Sequence, residues 1–385
     1  MQEYDVIVVG AGAMGMSAGY YLAGKGCRTL LIDADNPPHR NGTHHGETRI
    51  IRHAYGEGRE YTPMALRAQA LWGELEDETN RKLFLQTGFL QTGEPGSQML
   101  TEMMDSAEEH KLPVEILDAA EMSRRWPGVT FPEKMIGCYE ADSGIMLCEE
   151  CIKAFRESAI LKGAELKVMT PVTDIRPDRE GVTVITSEAT YRAKAVIVTA
   201  GKFAGGLLSQ IGLTPPLDPI RKAVGWFGTE TDEYDSTSFP AFLFDLPEGV
   251  YYGFPSIDGS GVKVGRHDGE HRPAPAEKAL PEFGAYPDDE FDLKQYMQQY
   301  MPQAAKVLLK GSSCTYTMTP DEHFIIDRHP DYPHVVIGAG FSGHGFKFAS
   351  VIGEILSQLA TGEQPRFDLK LFSLKRFQKL STKEG

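Results

Sequence analysis

Gly10, Gly12 and Gly15 stand at the G-x-G-x-x-G spacing, and Asp33 follows 18 residues after the third of them. At these positions the first glycine permits a tight turn, the second lets backbone approach a pyrophosphate, and the third lets a helix pack close to a strand. Free N–H groups at the start of that helix suit phosphate oxygens, and an acid at the distance of Asp33 accepts hydrogen bonds from ribose hydroxyls. Together they predict a site for an ADP moiety. A second stretch, "NGTHHGETRIIRHAYGEG" at 41–58, gathers three histidines and two arginines between Thr43 and His53, although the chain's formal charge is −15. Taken alone, such a run is either a solvated basic helix face, the commoner case, or the lining of an anion site. Cys148 and Cys151 form a C-x-x-C pair, "CEEC". Redox or zinc chemistry would want an active helix N-terminus or a second thiol pair, so two ordinary helix cysteines are the preferred reading.

The elements that must hold these residues follow from hydrophobic periodicity. "EYDVIVVG" reads as an apolar strand, "AGAMGMSAGYYLAGKGC" as a turn opening into a small-residue helix, and "RTLLIDAD" as a second strand. "AKAVIVTAGKFAG" (193–205) and "HVVIGAGFSGHGFKFASVIGEILSQLA" (334–360) read as returns to the same sheet. Residues 220–320 alternate short strands with turns, as an antiparallel sheet does, and 85–145 are expected to join it. The expected fold is α/β (α+β overall). A Rossmann-like domain is assembled from 1–84, 146–219 and 321–385, and a substrate domain on a mostly antiparallel sheet from 85–145 and 220–320. The charged end, "SLKRFQKLSTKEG", is expected to fray. NAD enzymes more often complete their nucleotide domain in consecutive repeats, so this scattered layout favours FAD. An NAD-dependent dehydrogenase is left as an alternative resting on the glycines alone, and a non-catalytic nucleotide-binding protein as another.

Composition narrows the partner. With 41% hydrophobic and 24% charged residues, the chain reads as an ordinary globular protein, and its acidic balance argues against nucleic acid and anionic membrane surfaces. No basic leader opens the sequence, and no apolar run approaches the roughly 20 residues of a membrane span. Five cysteines make no disulfide framework, which fits a reducing, cytoplasmic setting.

Five motifs carry a resemblance: "DVIVVGAGAMGMSAGYYLA", "PPHRNGTHHGETRIIRHAYGEGREY", "YYGFPS", "CTYTMTPDEHFIID" and "GFSGHGFKFAS". Through them the chain resembles, nearly end to end, the monomeric sarcosine oxidase and N-methyltryptophan oxidase family of FAD-dependent amine oxidases. The resemblance implies FAD attached covalently through Cys314 as an 8α-thioether, whereas the residue alone would read as a buried strand cysteine. It places Thr43, Thr48 and Arg49 along the FAD, and His45 and Arg49 against the ring face. Gly343, Gly345 and Lys347 lie at its pyrimidine edge, where a helix N-terminus and an ammonium favour negative charge.

The same resemblance assigns the substrate carboxylate to Arg52 and Lys347, a bidentate guanidinium plus a point charge. Tyr252 and Tyr316 would wall the substrate, and His267 would contact its amine. Lys263 would face the opposite side of the flavin and favour electron transfer to oxygen. The implied activity is oxidative demethylation of sarcosine or a related N-methyl amino acid, with O2 as acceptor and hydrogen peroxide as product, by a monomer needing no metal. N-methyl-L-tryptophan oxidase is the alternative within the family. Arg266 departs from the sarcosine-type pattern and looks like the other branch, and pocket residues such as Leu243 cannot be sized from sequence.

Overall fold

The computed structural model describes residues 2–269 and 271–378. Its first layer is an eight-stranded sheet whose centre is parallel. The Gln2–Val9 strand lies between Thr29–Ile32 and Thr190–Val198, in register Val9↔Ile32 and Val9↔Val198. Val335–Ala339 continues the parallel order beyond Thr190–Val198, and Glu165–Lys167 beyond Thr29–Ile32. Both faces of this centre are covered, which explains its unbroken apolar runs: Ile7, Val8, Leu30, Leu31 and Ile197 are all fully buried. The Ala13–Gly24 helix packs against the helices Cys148–Leu161 and Ala349–Thr361. Small residues allow that approach, since a Cβ on Gly353 would run into Ser17.

A second, nine-stranded sheet gathers Phe89–Gly93, Glu115–Asp118 and Ile136–Glu140 with the strands between Asp218 and Met318. It is antiparallel except where Ala241–Leu246 runs parallel to Phe89–Gly93. The long pair Asp218–Phe227 and Leu308–Met318 sets Cys314 opposite Lys222 and Tyr316 opposite Ile220. This region also holds a helix, Asp288–Tyr300, where only strands and turns are expected. Its signal is present in the sequence: three acids in the first turn, then Leu293, Tyr296, Met297 and Tyr300 along one buried stripe.

The histidine–arginine stretch is not a helix. Thr48–Ile51 is one edge of a small three-stranded sheet with Gly144–Leu147 and Phe84–Leu85. The terminal segment is partly docked rather than frayed: Asp327 Oδ2 accepts from Ser373 Oγ at 2.7 Å and from the Leu374 N–H at 2.8 Å, ahead of a Lys375–Gln378 helix. Residues 379–385 lie outside the described residues. Cys148 and Cys151 are buried in the first turn of their helix, and burial pushes the Cys148 thiol up to about 12, as suits packing rather than reactivity. Among the described residues no helix is long and apolar enough to cross a membrane.

Candidate active site

At the carboxyl ends of the parallel strands lies a cavity of about 450 Å³. Gly10, Gly12, Asp33, Thr43, Arg49, Tyr316, Gly343 and Gly345 line it. Gly10 adopts φ +91°, and a Cβ there would sit 2.6 Å from the Thr199 carbonyl oxygen. Gly15 does not line the cavity; a Cβ on it would collide with the Gly10 carbonyl, so it serves the helix–strand approach. Gly12 caps the helix without any side-chain partner, which leaves its first N–H groups to a ligand. Asp33 Oδ2 accepts from the Ala11 N–H at 2.7 Å and Oδ1 from that of Asp35 at 2.9 Å, which fixes the carboxylate at the cavity wall. Gly343, at φ +81°, leaves room for the Tyr316 ring that a Cβ would strike. Thr317 Oγ1 is buried here with no hydrogen-bond partner. A phosphate-type turn, an acid fixed at the wall and an orphaned hydroxyl fit a dinucleotide such as FAD.

His44, which the sequence reading passes over, lines this cavity, whereas His45 does not. The His44 Nε2 accepts from the His39 N–H at 3.1 Å, and burial, aided by His39, pushes the ring down to about 3. His45 and Gly46, the latter at φ +96°, face the other side. There His45 lines a narrow third cavity with Lys263, Cys314, Tyr252 and Tyr316. His45 Nε2 is buried and unpartnered, and burial followed by the Arg49 charge brings the ring to about 4.

Arg49 and Tyr316 line all three cavities and therefore stand at their junction. The guanidinium donates to three carbonyls, those of Thr48 at 2.8 Å, His45 at 2.9 Å and Thr43 at 3.0 Å. Among the described residues it has no carboxylate partner, so its charge is available to a ligand. Lys263 Nζ donates to the Gly46 carbonyl at 2.6 Å and the Thr48 carbonyl at 3.0 Å, over the Phe254 ring at 4.4 Å. Burial and the neighbouring Arg49 lower it to about 7. Thr48 lines none of the three cavities; its Oγ1 lies 3.3 Å from Lys263 Nζ. Burial raises the Cys314 thiol, against the opposing pull of Arg49 and Lys263.

The remaining cavity, about 70 Å³, brings together Arg52, Tyr252, His267 and Lys347, with Glu57 and Leu243. Its cations come from chain segments almost 300 residues apart. Arg52 donates to Gln91 Oε1 at 2.7 Å and pairs with the Glu57 carboxylate. Burial alone would raise Glu57, but Arg52, then His344 and Lys347, hold it down at about 2. Burial and Arg52 lower Lys347 to about 7. Lys347 lines this cavity and not the large one. The hydroxyls of Tyr252 and Tyr316 meet at 3.2 Å. Burial lowers His267, leaving a neutral ring at the wall, and its carbonyl accepts from Lys222 Nζ at 2.7 Å. Arg266 turns outward, to Asp268 and Asp292 at 3.0 Å each. It takes no part in the cavity. Besides His44, the sequence reading missed Glu57 and Gln91, the partners of Arg52. Glu57 stood inside the cationic stretch, but nothing local pointed to Gln91.

The FAD dependent oxidoreductase (DAO) family model matches residues 5–359. The chain is 48% identical over 377 residues to monomeric sarcosine oxidase of Arthrobacter sp. (strain TE1826), covering 97% of each. It is 40% identical over 376 residues to N-methyl-L-tryptophan oxidase of Citrobacter koseri, covering 97% of this chain and 99% of the other. The fold is shared with the open form of NikD, an amino acid oxidase of nikkomycin biosynthesis, at a TM-score of 0.86 and 24% identity over 97% of this chain and 98% of that one. Identity at this level over nearly the whole chain, with the dinucleotide cavity in place, settles the descent: the chain belongs to the FAD-dependent oxidoreductase family, in the group of the monomeric sarcosine oxidases and N-methyltryptophan oxidases.

Proposed function

We propose that the protein oxidises the N-methyl carbon of sarcosine, consuming O2 and water and yielding glycine, formaldehyde and hydrogen peroxide. The observation that carries this reading is the pairing of two cations, Arg52 and Lys347, in a small cavity joined to the dinucleotide cavity through Arg49 and Tyr316. When bound, FAD would supply the two-electron acceptor chemistry, with O2 as the final oxidant. Gly10, Gly12, Asp33, Thr43, Gly343 and Gly345 would hold the FAD and Cys314 would anchor it as a thioether, whereas Thr48 and Lys347, which do not line the large cavity, would act from beside it. Residues 1–84, 146–219 and 321–385 form its domain, and 85–145 with 220–320 form the substrate domain. The protein works as a cytoplasmic monomer.

The chain's own residues bind and orient. Arg52 and Lys347 grip the carboxylate, which costs the Glu57 pairing. His267, held neutral by burial, lines the same cavity and contacts the substrate amine there. Tyr252 and Tyr316 wall the amine side and keep water out. His45 and Arg49 cover the ring face, and Lys263 places its charge where oxygen is reduced.

Two observations favour sarcosine over N-methyltryptophan. The cavity is about 70 Å³ with Leu243 in its wall, and Arg266 points away from it. The test is turnover of sarcosine against N-methyl-L-tryptophan in an oxygen electrode. The reading expects kcat/KM for sarcosine to be the higher by at least tenfold, since a missing cavity excludes an indole more strongly than one methylene. Preference for the indole substrate would assign the other activity of the family.

A further inference from the structure

The lysine of the small cavity is held by a hydrogen-bond chain that can run in only one direction. Lys347 Nζ lies 3.1 Å from Tyr55 Oη and 3.0 Å from the His344 carbonyl. An ammonium only donates, so the Tyr55 oxygen accepts from it. The Tyr55 O–H then points to His344 Nδ1, at 2.8 Å. The other ring nitrogen, Nε2, lies 3.1 Å from the Glu322 carbonyl oxygen, which can only accept. All four groups are satisfied together only if His344 is neutral and carries its proton on Nε2. Its surroundings suit that state: the ring is buried, packs on Phe324 at 4.6 Å between centroids, and lies beside the Lys347 charge.

We propose that Tyr55 and His344 are positioning residues that orient the Lys347 ammonium, committing two of its N–H groups so that the third is left for a carboxylate in the cavity. The inference rests on the reading of that cavity as a carboxylate site. Tyr55 lies behind the cavity, and His344, which also lines it, acts here through its two ring nitrogens. The chain links three separate parts of the fold, the segment after Thr48–Ile51, the turn at Glu322 and the loop before Ala349–Thr361. Its effect is to replace a flexible lysine's choice of rotamers with one direction of approach.

The Tyr55 ring also receives the Arg52 guanidinium at 4.9 Å and Lys347 Nζ at 5.0 Å from its centroid. Tyr55→Phe therefore keeps both ring contacts and removes only the hydroxyl. Binding of acetate to the FAD-loaded protein by calorimetry, alongside KM and kcat for sarcosine, reads the result. Loss of one orienting hydrogen bond is expected to weaken acetate about fivefold in Tyr55→Phe and to raise KM with kcat little changed. Glutamine can donate to the Glu322 carbonyl and accept from Tyr55, so His344→Gln should stay within about twofold of wild type while His344→Leu matches Tyr55→Phe. In a Lys347→Met background, adding Tyr55→Phe should change acetate affinity by less than about twofold. An equal loss with and without Lys347, or no loss in Tyr55→Phe, overturns the proposal. His344→Gln as impaired as His344→Leu removes His344 from it. A wild type that neither binds acetate nor oxidises sarcosine would instead refute the carboxylate reading itself.

Discussion

Glu57 forms an ion pair with Arg52 inside the cavity that also holds Lys347. The cation assigned to the substrate carboxylate is thus already matched by a carboxylate of the chain, and the two compete. Glu57→Gln is expected to tighten acetate binding about tenfold, the worth of a charged hydrogen bond no longer lost on binding. It should also lower the melting temperature by a few degrees, because Arg52 is left buried with a neutral partner. Calorimetry and a thermal melt check both; unchanged affinity would contradict the competition.

Carboxylate affinity should fall at alkaline pH. Lys347 is lowered to about 7 by burial first and Arg52 second. Acetate as its anion binds the charged form, so its dissociation constant is expected to be flat from about pH 6 to 7 and to rise by up to about tenfold per unit above that. Lys347→Met should flatten that rise. Lys263 is brought to a similar value but lines a different cavity, so Lys263→Met should leave the slope in place.

Lys263 carries the opposite prediction for oxygen. With its charge removed, Lys263→Met is expected to slow reoxidation by oxygen about a hundredfold, while anaerobic reduction by sarcosine changes little. Stopped-flow absorbance separates the two halves. Equal slowing of both would place Lys263 in substrate binding.

Attachment through Cys314 predicts a yellow pellet when the protein is precipitated with acid. In Cys314→Ser the colour should remain in the supernatant. A colourless pellet from wild type would mean that the flavin is held without a bond.

Much of the nucleotide fold was legible because its signals are local. Gly10 at positive φ, Gly15 beneath the Gly10 carbonyl and the apolar runs flanking them all lie within one βαβ unit. The site was less so. Arg52 meets Gln91, and Tyr55 meets His344, only through packing of distant segments. His44 and His45 are neighbours in the sequence yet line different cavities, which nothing in their residue types foretells. Strand alternation explains why Arg266 stays out of the cavity: on Val262–Arg266 it shares a face with Val262 and Val264, opposite Lys263. Cys314 shows the limit of residue chemistry, since nothing in its burial or strand position separates a flavin anchor from a packed thiol.

The most direct test of the account is product analysis after aerobic turnover of sarcosine by the FAD-loaded protein. Formaldehyde, glycine and hydrogen peroxide are expected in equal amounts, with deuteration of the N-methyl group slowing the reaction. Glyoxylate and methylamine, which mark attack at the other carbon, or no oxygen uptake at all, would contradict it.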